Sequence, residues 1–243
     1  MKKTYKFSWK TFVKEFFSFP GTYLLSTLAC IRCRWNPISG RGKRPILLVH
    51  GYLHSRFIWL YLGRELQKKG FGPIFTINLG YPFHSIEVFA QKMKEKVKEI
   101  ENKTKRKDLI LIGHSMGGLV SAYFALHVAK KNTVTDVISM ATPFHGTKAT
   151  PFGIGHCVKE MERHSSFVEH LSQNILKEKK IHFYYIAAKR DHIVIPYFSA
   201  LIGKDKEKQC VLQDVGHSSL LFSKKVSEKL SEWLEKIYQD RGT

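Results

Sequence analysis

The stretch Asp108-Leu109-Ile110-Leu111-Ile112-Gly113-His114-Ser115-Met116-Gly117-Gly118 decides the fold. Its four consecutive aliphatic residues read as a strand buried on both faces. They run into Gly113-x-Ser115-x-Gly117, with Gly118 next, and then into a segment rich in small residues (Ser121, Ala122, Ala125) that reads as a helix from Met116 to Lys130. A serine between glycines at a strand-to-helix turn is pushed out above a sheet, and the helix N-terminus behind it favours developing negative charge. With 18 serines and 17 glycines in 243 residues, about 0.09 such matches arise by chance at this composition. The setting, more than the pattern, gives the motif its weight.

Outward from this turn the chain keeps alternating. Pro45–His50, Pro73–Leu79, Asp108–Gly113, Thr135–Ala141, His182–Ala188 and Cys210–Asp214 are short apolar runs that predict six strands. Between and after them, Ser55–Lys69, Ile86 to about Arg106, Met116–Lys130 and Lys224–Gln239 carry apolar residues at helical spacing. Strands alternating with helices mean crossover connections, hence an α/β fold with a mostly parallel sheet covered by helices on both faces. Residues 45–243 are expected to form one domain. Residues 148–180, with Val158, Met161, Phe167, Val168, Leu171 and Ile175, are expected to supply a short cap of one or two amphipathic helices, at least one of them plain crossover.

Length and composition agree: 243 residues with 43% hydrophobic and 25% charged residues suit one large folded domain and exclude a disordered chain. Four cysteines are too few for a disulfide scaffold. Cys30-x-x-Cys33 does not follow a strand, and Cys157 and Cys210 have no partner at ligand spacing, so free thiols are expected.

The net charge of +20 favours an anionic partner, nucleic acid or lipid. It is uneven: residues 1–45 hold ten Lys/Arg against the single acid Glu15. There Tyr5, Trp9, Phe12, Val13 and Phe16 fall on one helical stripe. The uncharged run that follows is shorter than the ~20 residues that span a bilayer. Three readings of this 1–44 leader stay open: an interfacial anchor on an anionic membrane surface, a helix packed on the domain, and a cleaved signal or lipoprotein leader. No aromatic-plus-basic nucleic-acid module stands outside it. A peripheral, membrane-associated monomer is expected, cytoplasmic or exported.

A serine needs a base, and the base an orienting acid. In a parallel sheet these belong at the carboxyl ends of strands. His217 follows the sixth strand in Gly216-His217-Ser218, and Asp191 follows the fifth, giving the order Ser, Asp, His. Asp214 is the reserve acid, while Asp108 and Asp136 begin their strands at the far end. After the first strand, His50-Gly51-Tyr52 offers the amide of Tyr52 as one oxyanion donor, and Met116, after the serine, offers the other.

His50-Gly51, Gly113-His114-Ser115-Met116-Gly117-Gly118, Asp191 and Gly216-His217 resemble the lipase and esterase branch of the α/β-hydrolase superfamily. Ala141-Thr142-Pro143-Phe144-His145-Gly146-Thr147 is similar to a segment of bacterial triacylglycerol lipases and of enzymes that deacylate glycosylphosphatidylinositol. The resemblance covers roughly residues 45–240 and lacks extra antiparallel strands ahead of residue 45. It implies an α/β-hydrolase fold and hydrolysis of lipid esters through Ser115, Asp191 and His217; the remaining histidines show no metal-ligand spacing, so no metal or other cofactor is expected. His50, His114 and His145 are candidate substrate contacts. An acyltransferase or thioesterase with the same triad, or a non-catalytic membrane-binding protein on this scaffold, remains as the alternative.

Overall fold

The computed structural model describes residues 44–240, and the 1–44 leader with Cys30 and Cys33 lies, but for Arg44, outside them. Six strands form a single sheet: β1 (Ile46–Val49), β2 (Ile74–Ile77), β3 (Leu109–His114), β4 (Val134–Met140), β5 (His182–Ala188) and β6 (Gln209–Leu212). Their order is β2-β1-β3-β4-β5-β6 and every pairing is parallel. Helices α1 (Leu60–Lys68), α2 (Ile86–Thr104), α3 (Met116–Tyr123), α4 (His156–Glu160), α5 (Ser166–Lys177) and α6 (Lys224–Asp240) connect and follow them. This is the α/β-hydrolase fold that the motifs imply.

The alternation of side chains along β3 divides the core. Ile110 and Ile112 pack with Leu62 and Leu66 of α1 and with Leu230, Trp233 and Leu234 of α6. Leu109 and Leu111 face the other way, toward Phe89 and Met93 of α2, Leu119 of α3 and Leu171 of α5. Each fully buried side chain of this kind contributes roughly 1.5–3 kcal/mol, which is why the sheet carries helices on both faces. Ser85 and Ser165 cap α2 and α5 by accepting the N–H groups of Val88 and Val168.

Three helical expectations shift in detail. The 55–69 segment opens as a 3-10 turn at Arg56–Trp59, held where the Arg56 N–H donates to Asn78 Oδ1 at 2.8 Å, and becomes α1 only at Leu60. The helix after Ser115 ends at Tyr123 and widens into a π turn, Phe124–Val128, closed by the Ala129 N–H on the Phe124 carbonyl. That turn leaves Phe124 buried and His127 exposed. In the 148–180 segment α5 is the crossover helix, burying Val168, Leu171 and Ile175, while the 3-10 turn Thr150–Phe152 and the five-residue α4 are left as the cap. The sixth strand runs earlier than the sequence suggests because Lys208 through Leu212 pair with β5, which leaves Asp214 at the surface.

Strand order reverses at β1, flanked by β2 on one side and β3 on the other. Loops leaving the carboxyl ends of β1 and β3 therefore diverge, and the crevice between them is where an open α/β sheet binds its ligand.

Candidate active site

Ser115 stands in that crevice, immediately after β3, with φ 56 and ψ −127. A side-chain-bearing residue adopts this left-handed geometry only when its surroundings impose it. Here the Ser115 N–H donates to the Met140 carbonyl at 2.8 Å, and glycines clear the space around the turn. A Cβ on Gly113 would lie 2.5 Å from the Gly117 carbonyl oxygen, and one on Gly117 would press on the carbonyls of Val49 and His50. A Cβ on Gly118 would collide with the side chain of Thr142. Three glycines are thus required because α3 starts in contact with the ends of β1 and β4.

Asp191 and His217 meet across 26 residues of chain: Asp191 Oδ2 accepts from His217 Nδ1 at 2.8 Å, and both side chains are buried. Asp191 Oδ1 accepts the N–H groups of Ile193 (2.8 Å) and Val194 (2.7 Å). The carboxylate can only accept, so the His217 proton resides on Nδ1 and Nε2 becomes the nitrogen able to take a proton. Asp214, the reserve acid, is exposed and pairs with Arg190 and Lys225 instead. Asp108 and Asp136 bind Arg44 at the amino end of the sheet.

A cavity of about 440 Å³ contains both Ser115 and His217. Pro143, Val158, Met161 and Val194 give it apolar walls, and Leu53, Ile193 and Ile195 stand at once in its lining and partly in solvent. Thr147 ties two of its loops together: its hydroxyl donates to the Ile193 carbonyl and accepts the Ile195 N–H. Nothing in the spacing of the sequence marks Thr147 for this.

The donor candidates flank the serine. Met116 is the first residue of α3, where a helix leaves its N–H without an intrahelical partner. Tyr52 lies on the loop after β1 and lines the cavity. Its side chain does something the sequence does not suggest: the hydroxyl donates to the Ile154 carbonyl and accepts the Ile154 N–H, both at 2.8 Å, clasping the cap segment.

The three candidate substrate histidines sit elsewhere than in the cavity lining. His50 is buried, with Nε2 accepting the Leu79 N–H at 3.0 Å and Nδ1 donating to the Gly51 carbonyl at 2.9 Å. Burial pulls its pKa down to about 4. His114 is fully buried and donates from Nε2 to the His217 carbonyl at 3.0 Å. His145 is exposed, and its Nε2 donates to the Leu201 carbonyl at 3.1 Å, shaping its own loop. His54, to which the sequence assigns no role, lines the cavity, and burial lowers its pKa to about 3. Its only sequence signal is its place on the loop after β1.

Known proteins share this fold. A family model described as the alpha/beta hydrolase fold matches residues 44–158. Triacylglycerol lipase 2 of Saccharomyces cerevisiae is 34% identical over 99 residues, which are 39% of this chain and 30% of the yeast protein. The chain thus spans less than a third of that relative's length. The mature form of the Bacillus licheniformis lipase BlEst2 superposes with a TM-score of 0.64 at 18% identity, covering 84% of this chain and 96% of the other. Aspergillus fumigatus lipase B superposes with a TM-score of 0.60 at 16% identity, covering 74% of this chain and 49% of the other. The chain has the α/β-hydrolase fold and resembles its lipase and esterase branch.

Proposed function

We propose that this chain is a serine hydrolase that cleaves carboxylic esters of lipids at a membrane surface. The observation that carries this reading is the Asp191–His217 hydrogen bond in the wall of the cavity that also holds Ser115. In the proposed reaction His217 Nε2 takes the Ser115 proton as the hydroxyl oxygen attacks the ester carbonyl. The amides of Tyr52 and Met116 hold the oxyanion, each donor worth roughly 3–4 kcal/mol. Collapse of the intermediate expels the alcohol, which takes its proton from His217. Water, deprotonated by the same imidazole, then releases the acid from Ser115.

The lipid part of the proposal rests on the rim. Leu53, Tyr81, Phe83, Ile154, Ile193 and Ile195 are all exposed, Tyr81 by 80% and Ile154 by 70%, and all stand on loops after the carboxyl ends of strands. The 80–84 loop meets the cap where the His156 N–H donates to the Phe83 carbonyl. Apolar side chains gathered at the mouth of an apolar cavity suit a partner that is itself apolar. None of the described helices is long and apolar enough to cross a membrane. Arg44 joins the leader to the opposite end of the sheet from the cavity. The basic leader, with ten Lys/Arg against the single acid Glu15 in residues 1–45, is proposed as a tether to anionic lipid because of its charge, with the rim facing the substrate.

Ser115→Ala is expected to abolish hydrolysis of p-nitrophenyl esters and labelling by a fluorophosphonate while the protein stays folded. Retained turnover refutes the assignment. Vesicles of anionic and of neutral phospholipid, floated with the full chain and with a chain lacking residues 1–35, test the tether, which equal binding by both chains removes.

A further inference from the structure

We propose that His114 is a positioning residue for His217: the hydrogen bond from His114 Nε2 to the His217 carbonyl, 3.0 Å long, holds the loop that presents the base to Ser115. This rests on the reading of Ser115 and His217 as nucleophile and base. His114 ends β3 and adjoins Ser115, so one strand end carries both the hydroxyl and the donor that restrains its base. The span between donor and acceptor is 103 residues. The two imidazoles also touch, with ring centroids 4.8 Å apart and planes inclined by 53°. His217 is thus gripped at two places: Asp191 holds the ring at Nδ1, and His114 holds the backbone.

The choice of histidine at this position is otherwise costly. A carbonyl can only accept, so the His114 proton is on Nε2 and Nδ1 is left as an acceptor. Among the described residues Nδ1 has no hydrogen-bond partner, although the side chain is completely buried. A buried polar atom left unsatisfied calls for a compensating role, and an aliphatic residue would fill the site without that penalty. The donor to His217 is what only a polar side chain supplies. The groups around His114 are His217, His54 at 6.0 Å between ring centroids, and His50, and burial holds the His114 pKa well below its ordinary value. It therefore stays uncharged while His217 gains its proton, and adds no repulsion to that step.

The experiment compares His114→Gln, whose amide nitrogen reaches the place of Nε2, with His114→Asn, whose amide reaches only the place of Nδ1. Both are assayed on a short-chain p-nitrophenyl ester beside the wild type, with melting temperature and fluorophosphonate labelling recorded. His114→Asn is expected to lower kcat about 100-fold, the order of effect of a small misplacement of a catalytic group, with KM within about twofold. His114→Gln should recover most of that loss at a similar melting temperature. Equal kcat in the two variants, whether both high or both low, overturns the positioning role if the wild type is active. A wild type that neither hydrolyses the ester nor takes the label overturns the underlying reading of the site instead.

Discussion

Gly51 lies against Ser115 so closely that a methyl group at position 51 would stand 2.9 Å from Ser115 Cβ and 3.0 Å from the His114 carbonyl oxygen. The loop that is proposed to supply one oxyanion donor and the turn that carries the hydroxyl are therefore packed backbone to backbone. Gly51→Ala is expected to push Ser115 out of line. We expect kcat to fall by about tenfold or more, as small misplacements do, with a loss of stability of about 1–3 kcal/mol from overpacking. Steady-state kinetics and urea unfolding of the same preparation check it, and an unchanged kcat would show that the turn tolerates the displacement.

Asp191 and Asp214 provide a paired test of the acid. Asp191→Asn keeps the shape of the side chain but can offer its amide to His217, favouring the wrong tautomer, and a drop of about 10⁴ in kcat is the precedent for that change. Asp214→Asn removes an exposed carboxylate paired with Lys225 and Arg190 and is expected to leave kcat within about twofold. If the two variants fall equally, Asp191 is not the orienting acid.

Acid should unfold this protein earlier than its carboxylates alone require. Burial lowers His50 to about 4 and His54 to about 3, and holds His114 well below 6.5. All three are neutral in the fold yet take protons near pH 6.5 once unfolded, so the unfolded chain binds more protons below that pH. Stability is full above about pH 6.5 and declines as pH falls toward the folded values, by up to ~1.4 kcal/mol per pH unit for each histidine. For His50 the loss reaches about 3 kcal/mol by pH 4. Urea unfolding across this window measures the slope, His50→Gln should make it shallower, and a flat profile from pH 7 to 5 would contradict the prediction.

At the other end of the sheet, Arg44 Nε stands 2.7 Å from Asp108 Oδ2 and its Nη1 3.4 Å from Asp136 Oδ2. Asp136 is almost fully buried, with His182 Nδ1 at 3.5 Å as a further neighbour. Arg44→Met is expected to cost about 3–5 kcal/mol, the penalty for leaving a buried charge without its partner. Activity per folded molecule should not change, because this cluster is separated from the cavity by the length of the strands. Denaturant midpoints and active-site titration of the folded fraction separate the two effects.

The elements and the order of the candidate triad were legible because their signals are local. Leu109 to Ile112 is a buried strand wherever it is read, and Gly113, Gly117 and Gly118 sit in the motif because the turn needs the room. Asp191 and His217 are the carboxylate and imidazole that follow the fifth and sixth strands, and a hydrogen bond joins them in the structure. The ends of helices were less legible: the π turn after Tyr123 and the 3-10 start at Arg56 depend on what packs there. His50, His114 and His145, the candidate substrate contacts, lie outside the cavity lining, and each makes a hydrogen bond to protein backbone.

By itself, then, the amino-acid order determined the α/β alternation, the strand-to-helix serine turn and which carboxylate and imidazole follow which strand. These depend on periodicity and steric freedom within a few residues of chain. Only the tertiary structure decided that His50 meets Leu79, that His114 holds the His217 carbonyl, that Tyr52 clasps Ile154 and that Arg44 reaches Asp136. These contacts join positions 29, 103, 102 and 92 residues apart. Contacts of that span follow from the strand order β2-β1-β3-β4-β5-β6 and the packing of loops at its two ends, and no local pattern encodes which distant polar group a buried side chain will find.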